Sequence, residues 1–518
     1  MKLNRLALFI IISLAGGVMA SAQRYCNPLP MVMGPGGSAT GDVSIIEDGG
    51  KYYMACTGGG IWVSDDLFNW EHHQVEVEGG IPVAPDIARF NGKYYMTGNT
   101  EHVRVADNIL GPYKDLGAFH NTGTVADGWN RGFDCKIFVD DDNQPYLFWP
   151  GYGISGIFGV RLDPNDMTRF AEKPTHLMSF NPMHTWEHYG DANEYSSVAW
   201  IEGPWVIKRN GVYYLEYSAS GTQWKSYAQG YYTAPTPLGP YTYAPNNPLT
   251  RHTEGLVTGT GHGSIIKGPD GEWWQFYTIV LSTPTGGRRI GMDRITFDEA
   301  GFMTCKITDT PQPAPGAKVN KDRPASIPVT INKMADMAAL KKFSSEQEGF
   351  YASYGIDNYS GTIWRPKPDD PAPSMTLDLS PATRFDVVEH FTIDGLRVMF
   401  NTPRRARGAA GAASLPVFKY KLEASQDGEN FFTVLDKTGN TVPKDTIFDE
   451  FTPVNCRFIR FTVTDWPKDG GPLGIIDFTV FGYPDGWDAP EVASPAFANS
   501  NLPTDYEYQA ATGGNAAW

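Results

Sequence analysis

The stretch Ile201-Glu202-Gly203-Pro204-Trp205-Val206-Ile207-Lys208-Arg209-Asn210-Gly211-Val212-Tyr213-Tyr214-Leu215 decides how this chain folds. Two apolar runs flank Asn210-Gly211. An Asn-Gly pair in that setting signals a two-residue hairpin, because both central residues of the favoured turn take positive φ. Glu202 is out of place, a carboxylate at the head of a strand that is otherwise largely apolar. The same pattern of turn and aromatic residues occurs at Gly50-Lys51-Tyr52-Tyr53-Met54, Gly92-Lys93-Tyr94-Tyr95-Met96, Asn143-Gln144-Pro145-Tyr146-Leu147 and Gly271-Glu272-Trp273-Trp274-Gln275. Copies about 40 to 70 residues apart have the length of four-stranded blades with variable loops. The repeat predicts an all-β chain whose residues 23–309 form a five-bladed β-propeller.

Upstream of each aromatic pair, at the head of the strand that would line the axis, stands a polar residue: Asp42, Asp86, Asp134, Glu202 and His262. Radial repetition brings equivalent positions together, so carboxylates from separate blades should meet in one cleft. Any one of them could instead cap a turn, but their recurrence across the repeat favours chemistry. Hydrolysis of a glycosidic bond needs one carboxylic acid to protonate the leaving oxygen and one carboxylate to activate water, about 6.5–9.5 Å apart when the reaction inverts. A third carboxylate can keep the acid protonated by like-charge repulsion.

Composition narrows the partners. The chain has 42 Lys and Arg against 58 Asp and Glu, a net charge of −16, which argues against a nucleic-acid partner. Aromatics at 13% and charged residues at only 19% suit a β-rich protein with aromatic-lined clefts. The five cysteines show no CxxC spacing, and buried thiols are favoured over a disulfide. Lys2 and Arg5 precede an apolar run, Leu6 to Met19, that ends in Ala20-Ser21-Ala22. Residues 1–22 thus read as a secretory signal cleaved before Gln23, in preference to a membrane anchor. No later run is long enough to span a bilayer, so export to the periplasm or the medium is expected.

Residues 23–309 resemble glycoside hydrolase family 43. The resemblance rests on Asn27-Pro28 with Gly41-Asp42-Val43-Ser44-Ile45-Ile46, on Phe133-Asp134-Cys135-Lys136-Ile137-Phe138 and on Ile201-Glu202-Gly203-Pro204. It implies an exo-acting, inverting enzyme with Asp42 as general base, Asp134 as the residue that orients the acid and raises its pKa, and Glu202 as general acid. It also implies a water-coordinated metal ion, often calcium, beside His262, an Arg from Gly287-Arg288-Arg289-Ile290-Gly291 facing the site, with Arg289 chosen over Arg288, and Asp86 near the sugar. Trp62, Trp149 and Trp224 are candidates for stacking on the sugar, with core packing the alternative for each. Terminal arabinofuranosyl or xylosyl residues of plant-type polysaccharides are the implied substrates, with galactosyl or galactofuranosyl residues as the alternative. A non-catalytic sugar-binding propeller is the competing class. Departures at Cys135, Lys136 and Gly263 weaken the transfer of fine specificity.

Residues 310–329, opening on Pro311-Gln312-Pro313-Ala314-Pro315, read as a semi-rigid linker. Residues 330–484 alternate as strands of a β-sandwich and resemble the discoidin, or F5/8 type C, module through Gly361-Thr362-Ile363-Trp364, Glu423-Ala424-Ser425-Gln426-Asp427-Gly428 and Arg457-Phe458-Ile459-Arg460. That implies a jelly-roll domain, serving either as a carbohydrate-binding module or as a brace for the propeller. Residues 485–518 are expected to form an irregular tail.

Overall fold

The computed structural model describes residues 23–32, 41–120, 133–282, 287–318, 323–330, 340–380, 388–402, 415–468 and 471–486. The expected signal segment and residues 487–518 of the expected tail lie outside the described residues. Among the described residues, no helix is long and apolar enough to cross a membrane.

Each repeat forms one antiparallel sheet. Blade 1 comprises Ser44–Asp48, Lys51–Ala55, Ile61–Ser64 and Glu71–His73. Blade 2 comprises Asp86–Phe90, Lys93–Thr97, His102–Ala106 and Lys114–Ala118. Blade 3 runs through Lys136–Val139, Pro145–Pro150, Ile157–Asp163 and Asp166–Phe170, with Thr175–Met178 also paired to its third strand. Blade 4 is built from Glu202–Arg209, Val212–Ala219, Ala228–Ala234 and Thr242–Tyr243, and blade 5 from Ser264–Lys267, Trp273–Val280, Arg288–Phe297 and Met303–Cys305.

The aromatic motif is the start of each blade's second strand, and the turn before it supplies the positive φ that the hairpin needs. Asn210 and Gly211 have φ of 51° and 78°, and Arg209 pairs directly with Val212. The core lies between blades: Ala88 and Phe90 of blade 2, for example, pack with Ile137, Leu147 and Val160 of blade 3. All five cysteines are buried thiols.

The second domain is a sandwich of two sheets. One orders Ile327–Pro328, Ile475–Pro484, Phe391–Phe400 and Thr446–Cys456; the other orders Leu340–Phe343, Ser374–Asp378, Phe458–Asp465, Lys419–Ser425 and Phe432–Asp436. Trp364, Leu396, Leu422, Phe461 and Phe478 fill the space between them. The Pro-rich segment is not a free spacer. Gln312–Pro313 pairs with Arg24–Tyr25, and Ile327–Pro328 is already a strand of the sandwich, which therefore begins before residue 330. The two domains also share apolar packing, since Ile363, Met399 and Ile476 cluster with Ile279 and Leu281 of blade 5. Arg397, fully buried, pairs with Asp477 and donates to the carbonyls of Asn27 and Asp309.

Candidate active site

The site is built at the bend that precedes each blade's innermost strand. Asp42, Ala84, Asp134, Gly203 and His262 occupy this bend with φ of 54°, 47°, 42°, 57° and 34°. Such values are uncommon for residues other than glycine and carry strain that the surroundings must hold. The holding groups come from neighbouring blades. The N–H of Asp42 donates to Thr278 Oγ1 (2.9 Å), that of Ala84 to Thr57 Oγ1 (2.9 Å), that of Asp134 to Asn99 Oδ1 (2.6 Å) and that of His262 to Ser218 Oγ (2.7 Å). At the junction of blades 3 and 4 the acceptor is a candidate catalytic group, because the Gly203 N–H donates to Asp134 Oδ2 at 3.3 Å. Pairing slips between Glu202 and Trp205, so Glu202 stands one residue ahead of the bend that carries its counterparts. Non-glycine residues hold a similar φ at the other four bends, so what requires glycine at 203 is space: a Cβ there would lie 2.8 Å from the His262 ring.

This register corrects the reading of Asp86. The blade 2 counterpart of Asp42 and Asp134 is Ala84, and Asp86 lies two residues further along, level with Ser44, Lys136, Trp205 and Ser264. There it is locked between blades: it accepts from Ser44 Oγ (2.6 Å), Lys136 Nζ (2.7 Å) and the Ile137 N–H (3.1 Å). Lys136 in turn sits 3.5 Å over the Trp205 ring. Arg289 is corrected as well. It turns to the second domain and donates to Asp445 and Thr446, while Arg288 makes a bidentate pair with Asp42, both bonds at 2.7 Å. Trp62 and Trp149 are fully buried in core clusters, Trp62 donating to the Val32 carbonyl and Trp149 stacked against Phe158 and Phe170, so neither can meet a sugar. They sit on the third strand of blade 1 and the second strand of blade 3, where side chains fill the space between sheets. Trp224 is partly exposed beside Tyr189, which lies close enough to Glu202 to feel its charge.

Asp42, Asp134, Glu202 and His262 do converge. The three carboxylates are only 6%, 6% and 7% exposed, and His262 Nδ1 lies 3.3 Å from Asp42 and 3.6 Å from Asp134. Their environments push them apart. Burial would raise Asp42, but the Arg288 guanidinium and His262 outweigh it and hold this carboxyl far below the usual range. Thr57 Oγ1 adds a 2.6 Å hydrogen bond to the same carboxylate. Burial and the Asp134 charge raise Glu202 to about 7, against the opposing hydrogen bond that Tyr227 donates at 2.5 Å. Burial raises Asp134 too, partly offset by His262. His262 is lowered by burial but lifted to about 9 by Asp134, Asp42 and Glu202, so at neutral pH it is an imidazolium. The site therefore favours the ionised form of Asp42 and pushes Glu202 towards its protonated form on a single axis.

Calcium takes six to eight oxygen ligands. One imidazole beside two carboxylates, one of them already held by Arg288, supplies too few oxygens for that donor set. Among the described residues, no group of three or more His, Cys, Asp or Glu side chains is placed to hold a metal. These residues do not fit a protein-built calcium cage. A cavity of 670 Å³ opens elsewhere, lined by Glu47, Asp141, Lys208, Lys267 and Trp273 at the far ends of the blade strands and by none of the axial residues.

Sequence reasoning weighed Arg288 and chose Arg289 instead, and it missed Tyr227, Thr57 and the rim. Trp200 packs edge-on to Tyr152 (4.9 Å between ring centres) and near Phe133 (5.7 Å), flanking the segments that carry Glu202 and Asp134. Tyr152 is 71% exposed, which is unusual for so large an apolar ring and leaves it free to meet a ligand.

Comparison with known proteins gives matches along both domains. The family model for F5/8 type C domains matches residues 404–478, and that for Glycosyl hydrolases family 43 matches residues 37–303. The chain is 30% identical over 218 residues to Beta-D-galactofuranosidase xynD of Aspergillus niger, covering 40% of this chain and 56% of that protein. It is 26% identical over 289 residues to a Xylan 1,3-beta-xylosidase of a Vibrio species, covering 48% of each. The chain thus spans about half the length of the curated relatives it matches. Among solved structures it is similar to a thermostable family-43 glycoside hydrolase at 27% identity and TM-score 0.47, covering 57% of this chain and 100% of that one. With a family model matching residues 37–303, just over half of the chain, the chain belongs to Glycosyl hydrolases family 43.

Proposed function

We propose that this chain is an exo-acting glycoside hydrolase that releases terminal sugars with inversion. The observation that carries the reading is the opposite treatment of two carboxyl groups on one axis. Arg288 and His262 keep Asp42 ionised, while burial and Asp134 keep Glu202 protonated near neutral pH. With a glycoside between them, Glu202 gives its proton to the leaving oxygen. Asp42 takes a proton from the water that attacks the anomeric carbon from the opposite face. Tyr227 then stabilises the Glu202 carboxylate through the hydrogen bond it already donates. Asp134 repels charge on Glu202 before the transfer and so favours the protonated starting state.

Terminal arabinofuranosyl or xylosyl residues of plant-type polysaccharides are the proposed substrates, in line with relatives named xylosidase and xylosidase/arabinosidase. Galactofuranosyl residues are the second reading, favoured by the 30% identical Aspergillus protein. We place the enzyme outside the cytoplasm on the strength of the segment Lys2 to Ala22.

The test is hydrolysis of an aryl furanoside and pyranoside panel, and of arabinan, arabinogalactan and xylan oligosaccharides, by the wild type, Glu202→Gln and Asp42→Asn. Product anomers are followed by proton NMR. Cleavage by the wild type with an inverted product, lost in both variants, supports the reading. Sugar binding without cleavage favours the non-catalytic propeller, activity unchanged in both variants refutes the site, and a retained anomer refutes the mechanism.

A further inference from the structure

The second domain reaches the catalytic layer through blade 5. Consecutive residues on a strand point to opposite faces, and on Arg288–Phe297 that places two arginines back to back. Arg288 faces the axis and holds both oxygens of Asp42, with Thr222 Oγ1 as a further partner. Arg289 faces the sandwich. It donates to Asp445 Oδ2 at 2.9 Å and to Thr446 Oγ1 at 3.1 Å, and returns a third hydrogen bond to the carbonyl of Arg288 at 3.0 Å. Asp445 is itself fixed: it is 3% exposed, accepts from Thr402 Oγ1, and its carbonyl accepts from the Phe400 N–H.

A second contact holds the other strand of the same hairpin. The Ser282 N–H donates to Ser360 Oγ of the sandwich at 2.9 Å, just past Trp273–Val280. Leu281 and Ile279 pack there against Ile363, Met399 and Ile476. Both strands that converge on Arg288 are therefore gripped from the second domain, by hydrogen bonds and by apolar contact.

We propose that Asp445 of the second domain is a positioning residue for the reaction, acting through Arg289 and the Arg288 backbone to hold the Arg288 guanidinium on Asp42. The proposal rests on Asp42 being the general base. The pair it governs is demanding, since a bidentate guanidinium–carboxylate contact tolerates little displacement and a shift of about 1 Å near a reacting group can cost about a hundredfold in rate. Asp42 also has a titration that reports the contact. The charged and titratable groups facing it are Arg288 and His262 from blade 5, Asp134 from blade 3, and Glu202 and Tyr227 from blade 4. Of these, Arg288 is the strongest influence holding the carboxylate ionised. Loosening it raises the Asp42 pKa and moves the acidic limb of the rate profile to higher pH, because the base must be ionised to act.

The test compares Asp445→Asn, Asp445→Ala, Arg289→Ala and the Asp445→Ala/Arg289→Ala double variant, with Glu450→Ala as control. Glu450 ties the second domain to the N-terminal segment through Arg24 and does not touch Arg289. The expected result is a fall in kcat of about tenfold or more with KM within about twofold, an acidic limb moved upward, and a double variant no worse than the worse single one. Glu450→Ala should lower the melting temperature and leave the acidic limb in place. A crystal structure of Asp445→Asn supplies a readout independent of turnover. Loss of the 2.7 Å Arg288–Asp42 pair supports the inference even if no substrate is found, whereas an intact pair overturns it whatever the activity. An equal shift of the acidic limb in Glu450→Ala would also overturn it, by showing that any loosening of the second domain suffices.

Discussion

Removing the Tyr227 hydroxyl should shift the working pH range of this site in a direction fixed by the geometry. Tyr227 is fully buried and its hydroxyl donates to Glu202 Oε1 at 2.5 Å. That bond favours the ionised acid and works against burial and Asp134, which together raise Glu202 to about 7. In Tyr227→Phe the ring still fills its place against Gly261, where a Cβ would lie 2.3 Å from it, so the packing survives and only the donor is lost. A hydrogen bond to a charged group contributes roughly 1.5–3 kcal/mol, and about 1.4 kcal/mol corresponds to one pH unit. As the proposed general acid, Glu202 would have to be protonated to act, so raising its pKa extends activity upward. The alkaline limb of kcat/KM should move up by about one pH unit or more, while kcat falls because the carboxylate formed on proton transfer has lost its donor. The fall should be larger on a natural disaccharide than on an aryl glycoside, whose leaving group needs less protonation. The assay is kcat/KM on both substrates across about pH 4 to 9. An alkaline limb that stays in place or moves down would refute the assignment of Glu202 as the acid.

Other substitutions separate holding residues from reacting ones. Asp86→Ala leaves the Lys136 ammonium buried without its carboxylate, and should cost about 3–5 kcal/mol in denaturant unfolding while kcat of the folded protein stays near wild type; a collapse of kcat at full stability would return Asp86 to the sugar. Gly203→Ala meets both a positive φ and the His262 ring, and should lose about 1–3 kcal/mol of stability together with kcat; a neutral result in melting and rate would remove the argument for that bend. Trp200→Ala should raise KM for oligosaccharides several-fold and leave aryl glycosides with a small leaving group nearly unaffected, and equal effects on both would take Trp200 out of substrate contact.

The blades were legible because their signal is local. An Asn-Gly turn and paired aromatics recur in each copy, and each fixes one hairpin without reference to the rest of the chain. The identity of the axial arginine was legible too, in a pattern that was passed over. Ile290 and Met292 are buried against blade 1, so strand alternation sends Arg288, and not Arg289, to the same side as Asp42. Asp86 was misplaced because the count ran from the strand and not from the bend. Ser44, Asp86, Lys136 and Ser264 begin their strands, and the axial positions Asp42, Asp134 and His262 in blades 1, 3 and 5 stand two residues earlier. What the sequence could not reveal is contact across the ring. Nothing near Thr57, Asn99, Ser218 or Thr278 announces that each will hold the bend of the next blade, since those partners are between 27 and 236 residues away. The grip of Asp445 on Arg289 spans 156 residues and two domains, and has no local signature either.

The junction of blades 3 and 4 shows why proton affinity and geometry are linked in this site. At the other four junctions the bend is held by a neutral hydroxyl or amide. Here it is held by Asp134, the carboxylate whose charge helps to raise Glu202. The Gly203 N–H that Asp134 accepts belongs to the residue directly after Glu202, so the bond that fixes the acid's backbone also fixes its distance from the charge that keeps it protonated. A displacement of blade 4 that moved Glu202 away from the axis would break that bond and relieve the repulsion together. The acid would then ionise more readily where it could no longer reach substrate. Conversely, protonation of Asp134 weakens its acceptor strength and its repulsion at once. On the proposed assignment of Glu202 as the acid, the site favours its protonated form when blade 4 is seated against blade 3, the arrangement in which that proton could be used.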